Sequence, residues 1–373
     1  LAENKDMTLS PRFFANDRFL LQSEFRQKNK GSDHIADSSQ YLSSDETLKG
    51  HFFYNYAKNF ESEIFDDIEM DIVLQQVSDE TYLKAYKLDS PIIQNTSNLT
   101  NSISYGFYED DVSINTNLDV YEDLSKSDSD RYEFVPNFSF SKILDDNYNF
   151  TSKGYVKNYN TNITEKVLIN NLIYTSNAKY FGNGVINENN LSVKNINSEA
   201  KNSSNFKNKG SSSIVPTFQA NYTYPLKKET EEFDNTLTPK LSLKFSPNYT
   251  KNLRKKDRKI DYNNIYDLER LGISDVTEGG ISATYGYEYT KTDKSNLDQK
   301  IKFGFANNIR LKYNNDLPAN SNLGKKTSDF VGIFEYNPSK NMKLNYDFSL
   351  KNNLSDKNYE LYGFEFFLNN FST

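Results

Sequence analysis

The chain reads as a series of extended segments in which apolar and polar side chains alternate. Near the amino end, Met7, Leu9, Pro11 and Phe13 fall on one side of an extended chain, with Thr8, Ser10 and Arg12 on the other. That spacing of two marks a β-strand. A polar break at Ala15-Asn16-Asp17 leads into a second strand over Arg18 to Arg26. Pro11 cannot donate a ladder hydrogen bond, so it marks an edge or a seam built to be weak. Residues 29–46 are polar and read as a loop. Strands are expected over Leu48 to Ala57 and Ile68 to Val77, followed by a long connection over 78–98. Ile103, Tyr105 and Phe107 alternate up to a tight turn at Glu109-Asp110-Asp111, and Val112, Ile114, Leu118 and Val120 alternate away from it. After a polar loop at 122–130, Tyr132, Phe134, Pro136, Phe138 and Phe140 share one face, and Asp145-Asp146-Asn147 turns the chain into Tyr148 to Tyr159.

Residues 160–210, rich in Asn, Ser and Lys, show only the cores of strands near Val167–Tyr174 and Leu191–Ile196. Beyond them the alternation is clear again. Ile214, Pro216, Phe218, Ala220, Tyr222 and Tyr224 form one row, and Leu237, Pro239, Leu241, Leu243 and Phe245 the next. A long connection spans roughly 248–279 before Ile281, Ala283, Tyr285, Tyr287 and Tyr289. The last hairpin is expected to turn at Asn337-Pro338-Ser339-Lys340 and to lead into Met342 to Leu350. This gives roughly fifteen strands, many of about 9–12 residues, the length that crosses a bilayer at a tilt. Short and long connections alternate, as they do in outer-membrane barrels. The expected fold is all-β: a large antiparallel transmembrane β-barrel, partial and truncated at both ends. The whole of 1–373 then belongs to that barrel, as an internal piece of a longer protein.

Composition agrees. Only 36% of the 373 residues are hydrophobic and the mean hydropathy is −0.78, yet Tyr and Phe each occur 27 times. Such a chain is too aromatic for disorder and too polar for a soluble core of its size, but it suits strands with one face on lipid and one on water. A net charge of −7 speaks against nucleic acid as a partner. Without cysteine there is no disulfide, thiol nucleophile or thiolate metal site.

Candidate chemistry is sparse. His34 falls in an expected loop and His51 at a strand start, with no ligand spacing around either, so both read as polar surface or lumen residues. The acid pairs Asp66-Asp67, Asp110-Asp111 and Asp145-Asp146 sit at turns, where aspartate bonds its own backbone. No nucleophile elbow, phosphate loop or zinc motif occurs, so neither an enzyme nor a cofactor is expected. The basic run Lys251, Arg254, Lys255, Lys256, Arg258 and Lys259 reads as a solvated, mobile loop. Alternatively, Arg254, Lys255, Lys256 and Arg258 contact the phosphates of an anionic glycolipid.

Several segments stand out in order: Asp6-Met7-Thr8-Leu9-Ser10-Pro11-Arg12 with Gln22-Ser23-Glu24-Phe25-Arg26, Lys49-Gly50-His51-Phe52-Phe53, and Val77-Ser78-Asp79-Glu80-Thr81-Tyr82-Leu83. Leu237-Thr238-Pro239-Lys240, Asn264-Ile265-Tyr266-Asp267-Leu268-Glu269-Arg270 and Glu278-Gly279-Gly280 complete the set. In this order they resemble the barrel of the LptD family of lipopolysaccharide-assembly outer-membrane proteins. The resemblance implies a very large barrel whose periplasmic jellyroll, absent from this sequence, receives lipopolysaccharide from an LptA-like protein bridge. It also implies an LptE-like lipoprotein plug in the lumen and sideways exit of lipopolysaccharide at a seam weakened by prolines. Pro11 matches the second-strand proline of that lateral gate, whose first-strand proline and closing strand are expected outside this sequence, with Leu9 and Phe13 flanking the expected exit route for acyl chains. The family's disulfides cannot form here. The rival readings are a general porin or nutrient-uptake receptor of the outer membrane, and a soluble β-rich adhesin.

Overall fold

In the computed structural model, residues 2–14, 18–42, 48–93, 95–126, 128–247, 250–368 and 371–372 are described. The chain divides into two compact units, Leu1–Asn171 with Asn195–Ser213, and Leu172–Lys194 with Ile214–Thr373. In the first lie β1 (Lys5–Phe14), β2 (Arg18–Asn29), β3 (Ser32–Leu42), β4 (Leu48–Phe60), β5 (Asp67–Val77), a short helix α1 (Tyr82–Tyr86), β6 (Asn98–Glu109), β7 (Val112–Asp123), β8 (Tyr132–Asp145) and β9 (Tyr148–Tyr159). From β1 to β9 each strand pairs antiparallel with the next. β10 (Ile163–Thr175), β12 (Ile186–Lys201) and β13 (Ser211–Thr223) have residues in both units. The second unit adds β11 (Lys179–Tyr180), β14 (Leu226–Glu229), β15 (Phe233–Ser246), β16 (Gly280–Asp293), β17 (Lys300–Arg310), β18 (Phe330–Ser339), β19 (Met342–Leu350), β20 (Lys357–Leu368) and β21 (Phe371–Ser372). Its long strands also pair antiparallel in succession from β15 to β20.

What sets this sheet apart is which side chains it hides. Along β15, Leu241, Leu243 and Phe245 are exposed, whereas Ser242, Lys244 and Ser246 are buried. β13 does the same, exposing Ile214 and Phe218 over buried Thr217 and Gln219, and β16 exposes Ile281, Tyr285 and Tyr287 over buried Ser282 and Thr284. A sheet in water does the reverse, because apolar burial drives its folding. An apolar outer face over a polar inner one is the signature of strands that meet lipid outside and a wet or polar-filled interior.

The structure corrects the sequence reading in several places. Within the expected loop 29–46, Ser32–Leu42 form β3 after a two-residue turn at Lys30-Gly31, where Gly31 takes a positive φ of 77°, and 43–46 lie outside the described residues. His34 therefore lies on a strand. β3 was hidden because Ala36, Ser38 and Gln40 on one face and Asp37 and Ser39 on the other leave no apolar row. The expected break at Ala15-Asn16-Asp17 lies outside the described residues. β10 and β12 run well beyond the expected cores, and β17, marked by Ile301, Phe303 and Phe305, adds a strand. The hairpin expected at Asn337-Pro338-Ser339-Lys340 turns instead at Lys340-Asn341, after a register shift between Tyr336 and Ser339, and is followed by a further hairpin to β20. The described strands thus exceed fifteen, at 21 in all.

Loop sorting holds within each unit. In the first, two-residue turns at Lys30-Gly31, Asp110-Asp111 and Asp146-Asn147 alternate with connections that include 78–97 and 124–131. In the second, 247–279 and 311–329 alternate with the shorter 294–299 and Lys340-Asn341. The long connections build each unit's buried apolar cluster. Leu20, Tyr41, Phe53 and Leu99 pack on Tyr82, Leu83 and Leu88 of connection 78–97 in the first unit. Ala306, Val331 and Ile333 pack on Leu253, Ile260, Ile265, Leu271, Leu317 and Leu323 of the two long loops in the second. The loops therefore fold onto the inner, polar-lined face of their strands.

Candidate exit seam and its inner supports

β1 pairs with β2 from Lys5↔Gln27 to Phe14↔Arg18, which places Pro11 opposite Leu21. Its alternation puts Met7, Leu9, Pro11 and Phe13 in one exposed row, where Phe13 is 81% exposed and lies 5.3 Å from the Phe19 ring; the other row is exposed too, apart from half-buried Arg12. Leu9, Pro11 and Phe13, expected from the sequence to act together, share one row. Lys28 N donates to Asn4 O, so in this register the even-numbered residues of β1 bond β2, and Pro11 lacks its donor on the edge turned away from β2.

The opposite face of the same strands carries a polar cluster that the sequence reading did not assemble. Arg12 donates to the carbonyls of Tyr86 (3.1 Å) and Lys87 (3.2 Å), the last turn of α1. Gln22 donates to Asp37 Oδ1 (3.1 Å) and to the Asp89 carbonyl (2.8 Å). His51 lies with Nε2 3.1 Å from Asp37 and Nδ1 2.6 Å from Ser39 Oγ, which is also 2.8 Å from the Tyr82 hydroxyl. Ser39, His51 and Asp37 stand in the order of a hydrolase relay, yet Ser39 is 2% exposed and its hydroxyl is shared between His51 and Tyr82. No substrate reaches it. The cluster is a lock that holds the connection 78–97 on the strands.

Two of the resembling segments meet here. Ser78 and Gly50 exchange hydrogen bonds through Ser78 N to Gly50 O (2.9 Å) and Gly50 N to Ser78 Oγ (3.0 Å). Asp79 pairs with Lys49 at 3.1 Å and accepts from both the amide and hydroxyl of Thr81. Burial would raise the Asp79 carboxyl, but the Thr81 hydroxyl and Lys49 draw it below its usual range. Burial raises the Tyr82 phenol. The signal in the sequence was the pair of segments Lys49-Gly50-His51 and Ser78-Asp79-Glu80-Thr81-Tyr82, whose contact no local pattern reveals.

The second unit brings the other segments together around Glu278. Its carboxylate accepts from Arg270 Nε (2.7 Å) and Nη2 (2.6 Å), from Lys244 Nζ (3.3 Å) and from Arg310, all of them buried. Burial alone would raise the Glu278 carboxyl, yet the charges of Arg270, Lys244 and Arg310 hold it far below the usual carboxylate range. Arg310 also donates to the Gly279 carbonyl. Gly280 follows with φ of 105°, and a Cβ there would lie 2.7 Å from the Arg310 guanidinium. Gly280→Ala is expected to cost about 2 kcal/mol through backbone strain and displacement of Arg310. A lower temperature for the heat-induced gel shift of the folded barrel would record it. Nearby, Lys240 and the Tyr262 hydroxyl both reach Glu288, at 3.0 and 3.2 Å. Burial, then the Glu288 charge, raises the phenol of Tyr262, and likewise that of Tyr266.

Arg254, Lys255, Lys256 and Arg258 are exposed as expected, but the stretch is pinned rather than loose. Leu253 and Ile260 are buried on either side, Leu253 N donates to Asp316 O, and Ala319 N donates to Arg254 O. Arg258 lines a cavity of about 730 Å³ with Asp267, Asn320 and Tyr359. The acid pairs remain at turns, Asp145 Oδ1 accepting from the amides of Asn147 and Tyr148. Among the described residues no group of His, Asp and Glu is arranged to hold a metal.

An antiparallel sheet of tilt-length strands, apolar on its exposed face and polar beneath, is the wall of an outer-membrane β-barrel. The chain belongs to the LptD family: a family model described as LPS transport system D matches residues 49–371. It is thus a transport component of the Gram-negative outer membrane and not an enzyme. The match covers every resembling segment from Lys49 onward and begins after the first hairpin. No curated protein matches the chain in sequence. Among solved structures, the FrpB iron transporter from Neisseria meningitidis aligns over 93% of this chain and 69% of its own, at 9% identity and a TM-score of 0.37. OmpT, an outer membrane protein of Vibrio cholerae, aligns over 89% and 93%, at 9% identity and a TM-score of 0.27. At such identities and scores the likeness adds nothing to the family assignment.

Proposed function

We propose that this chain forms barrel wall through which lipopolysaccharide reaches the outer leaflet, leaving sideways at the β1 edge. The observation that carries this is the β1 row: Leu9, Pro11 and Phe13 aligned in one exposed apolar row, with a donor missing at its centre on the edge turned away from β2. Apolar side chains there offer acyl chains a continuous path, while an edge short of one donor is easier to part from whatever strand it meets. The pinned cations Arg254, Lys255, Lys256 and Arg258 supply phosphate contacts for the anionic headgroup. An LptE-like lipoprotein in the lumen and an LptA-like bridge, reached through a jellyroll outside this sequence, are the expected partners.

The test places a photo-crosslinking amino acid at Phe13 or at Tyr287 in the full-length protein. Tyr287 is an exposed side chain on β16. After irradiation in cells, a lipopolysaccharide adduct at Phe13 and none at Tyr287 is expected. Equal or absent labelling at both positions would remove the seam and favour a general porin or receptor.

A further inference from the structure

The connection 78–97 does more than fill space. Arg12 of β1 holds the carbonyls of Tyr86 and Lys87, which end α1 and have no further turn to bond. Gln22 of β2 holds the carbonyl of Asp89. Ser39 of β3 meets the Tyr82 hydroxyl, and Gly50 of β4 exchanges bonds with Ser78. Phe14 packs edge-on against Tyr86 at 6.1 Å and Tyr41 at 5.9 Å. One segment thus touches four consecutive strands on their inner face. Its tie to β1 is the one that bears on the exit route, because Pro11 and Phe13 flank Arg12 in sequence and point the other way.

We propose that Arg12 is a positioning residue that fastens β1 to the connection 78–97, so that the β1 edge parts only when this brace lets go. The proposal rests on the reading of that edge as the exit seam. β1 pairs with β2 on one edge, lacks a donor at Pro11 on the other, and is held from inside through a guanidinium on the adjacent residue. A guanidinium suits the task, since it stays charged and its Nη1 alone donates to both successive carbonyls. Cargo moving along the inner face would have to displace the brace before leaving sideways, which makes the two events sequential.

These 373 residues include no cysteine, so within them an introduced pair reacts without competition, and the parent without the pair controls for thiols elsewhere in the protein. In the full-length protein, Phe14→Cys and Tyr86→Cys are joined by a reducible bis-methanethiosulfonate bridge, with a monofunctional reagent as control. The readout is lipopolysaccharide labelling from the photo-crosslinker at Phe13. The bridge is expected to lower labelling at least about tenfold, and reductant to restore it. Without a bridge, Arg12→Ala is expected to raise labelling about tenfold, the size of roughly one charge-assisted hydrogen bond at a partly exposed site. Arg12→Lys should keep part of the restraint, and Ser10→Ala, on the same face of β1, should change nothing. The folded gel band is followed in each case, so a rise in labelling with that band intact separates positioning from unfolding. Labelling that persists under the bridge and is unmoved by Arg12→Ala overturns the brace and leaves the seam standing. No labelling at Phe13 in the unbridged parent overturns the seam itself, and the brace with it.

Discussion

Glu278→Ala is expected to detach the loop 247–279 from the strands beneath it. The substitution leaves Arg270, Arg310 and Lys244 buried around a missing countercharge. Removing one partner from such a buried group costs roughly 3–5 kcal/mol. Lys194, which reaches Glu269 and the Val276 carbonyl, and Gln219, which donates to the Tyr266 carbonyl, cannot replace a contact that joins β15, β17 and the loop at one point. Trypsin reads the outcome directly, since the exposed cations at 254–259 are cut only when their backbone can leave the pinned conformation. Cleavage there should accelerate strongly in Glu278→Ala and less in Glu278→Gln. An unchanged cleavage rate would show that the apolar cluster alone docks the loop. The pH dependence follows from the same group. Its folded pKa is depressed, so the stabilisation is complete above the ordinary glutamate value near 4.5 and is lost only as pH falls from there toward the depressed value. The loop should therefore remain protease-resistant at pH 5 and open in strong acid.

Leu243→Arg should be the most damaging substitution on the exposed face. Leu243 lies within β15 between Ala220 of β13 and Ala283 of β16, 44% exposed. On a soluble sheet a charge at such a site would change stability by about half a kcal/mol or less. On a lipid-facing strand the cost is roughly 2–4 kcal/mol near the bilayer midplane. Folding equilibria in vesicles would measure it. A neutral result would place this row outside the hydrocarbon region.

Alternation was enough to read the strands whose exposed row is apolar throughout, such as β8, β13, β15 and β16. It failed for β3, where both faces are polar, and blurred β10 and β12, whose rows mix Leu168 and Leu172 with Asn170, and Leu191 and Val193 with Asn195 and Asn197. These asparagines bond one another across the strands, Asn170 to Asn195 at 3.2 Å, which satisfies them but removes the apolar signal. The Pro11 row was legible because it is local. The clusters behind it were not. Arg12 and Tyr86 are 74 residues apart, and Glu278 is gripped by residues on three separate elements, so neither centre follows from spacing along the chain. The resembling segments did contain most of their members, including Lys49, His51, Asp79, Tyr82, Arg270 and Glu278, but order in sequence does not reveal that they touch.

The reach of Arg12 also sets an order of assembly. The β1–β2 pairing is local and can form as soon as both strands are present, since it closes only a short loop. The tie from Arg12 closes a loop of 74 residues and requires β3, β4 and β5 to be in place before α1 can settle on them. β1 is therefore paired with β2 early and tied to α1 late, and its hold from the inner face is complete only when chain far downstream folds back to it.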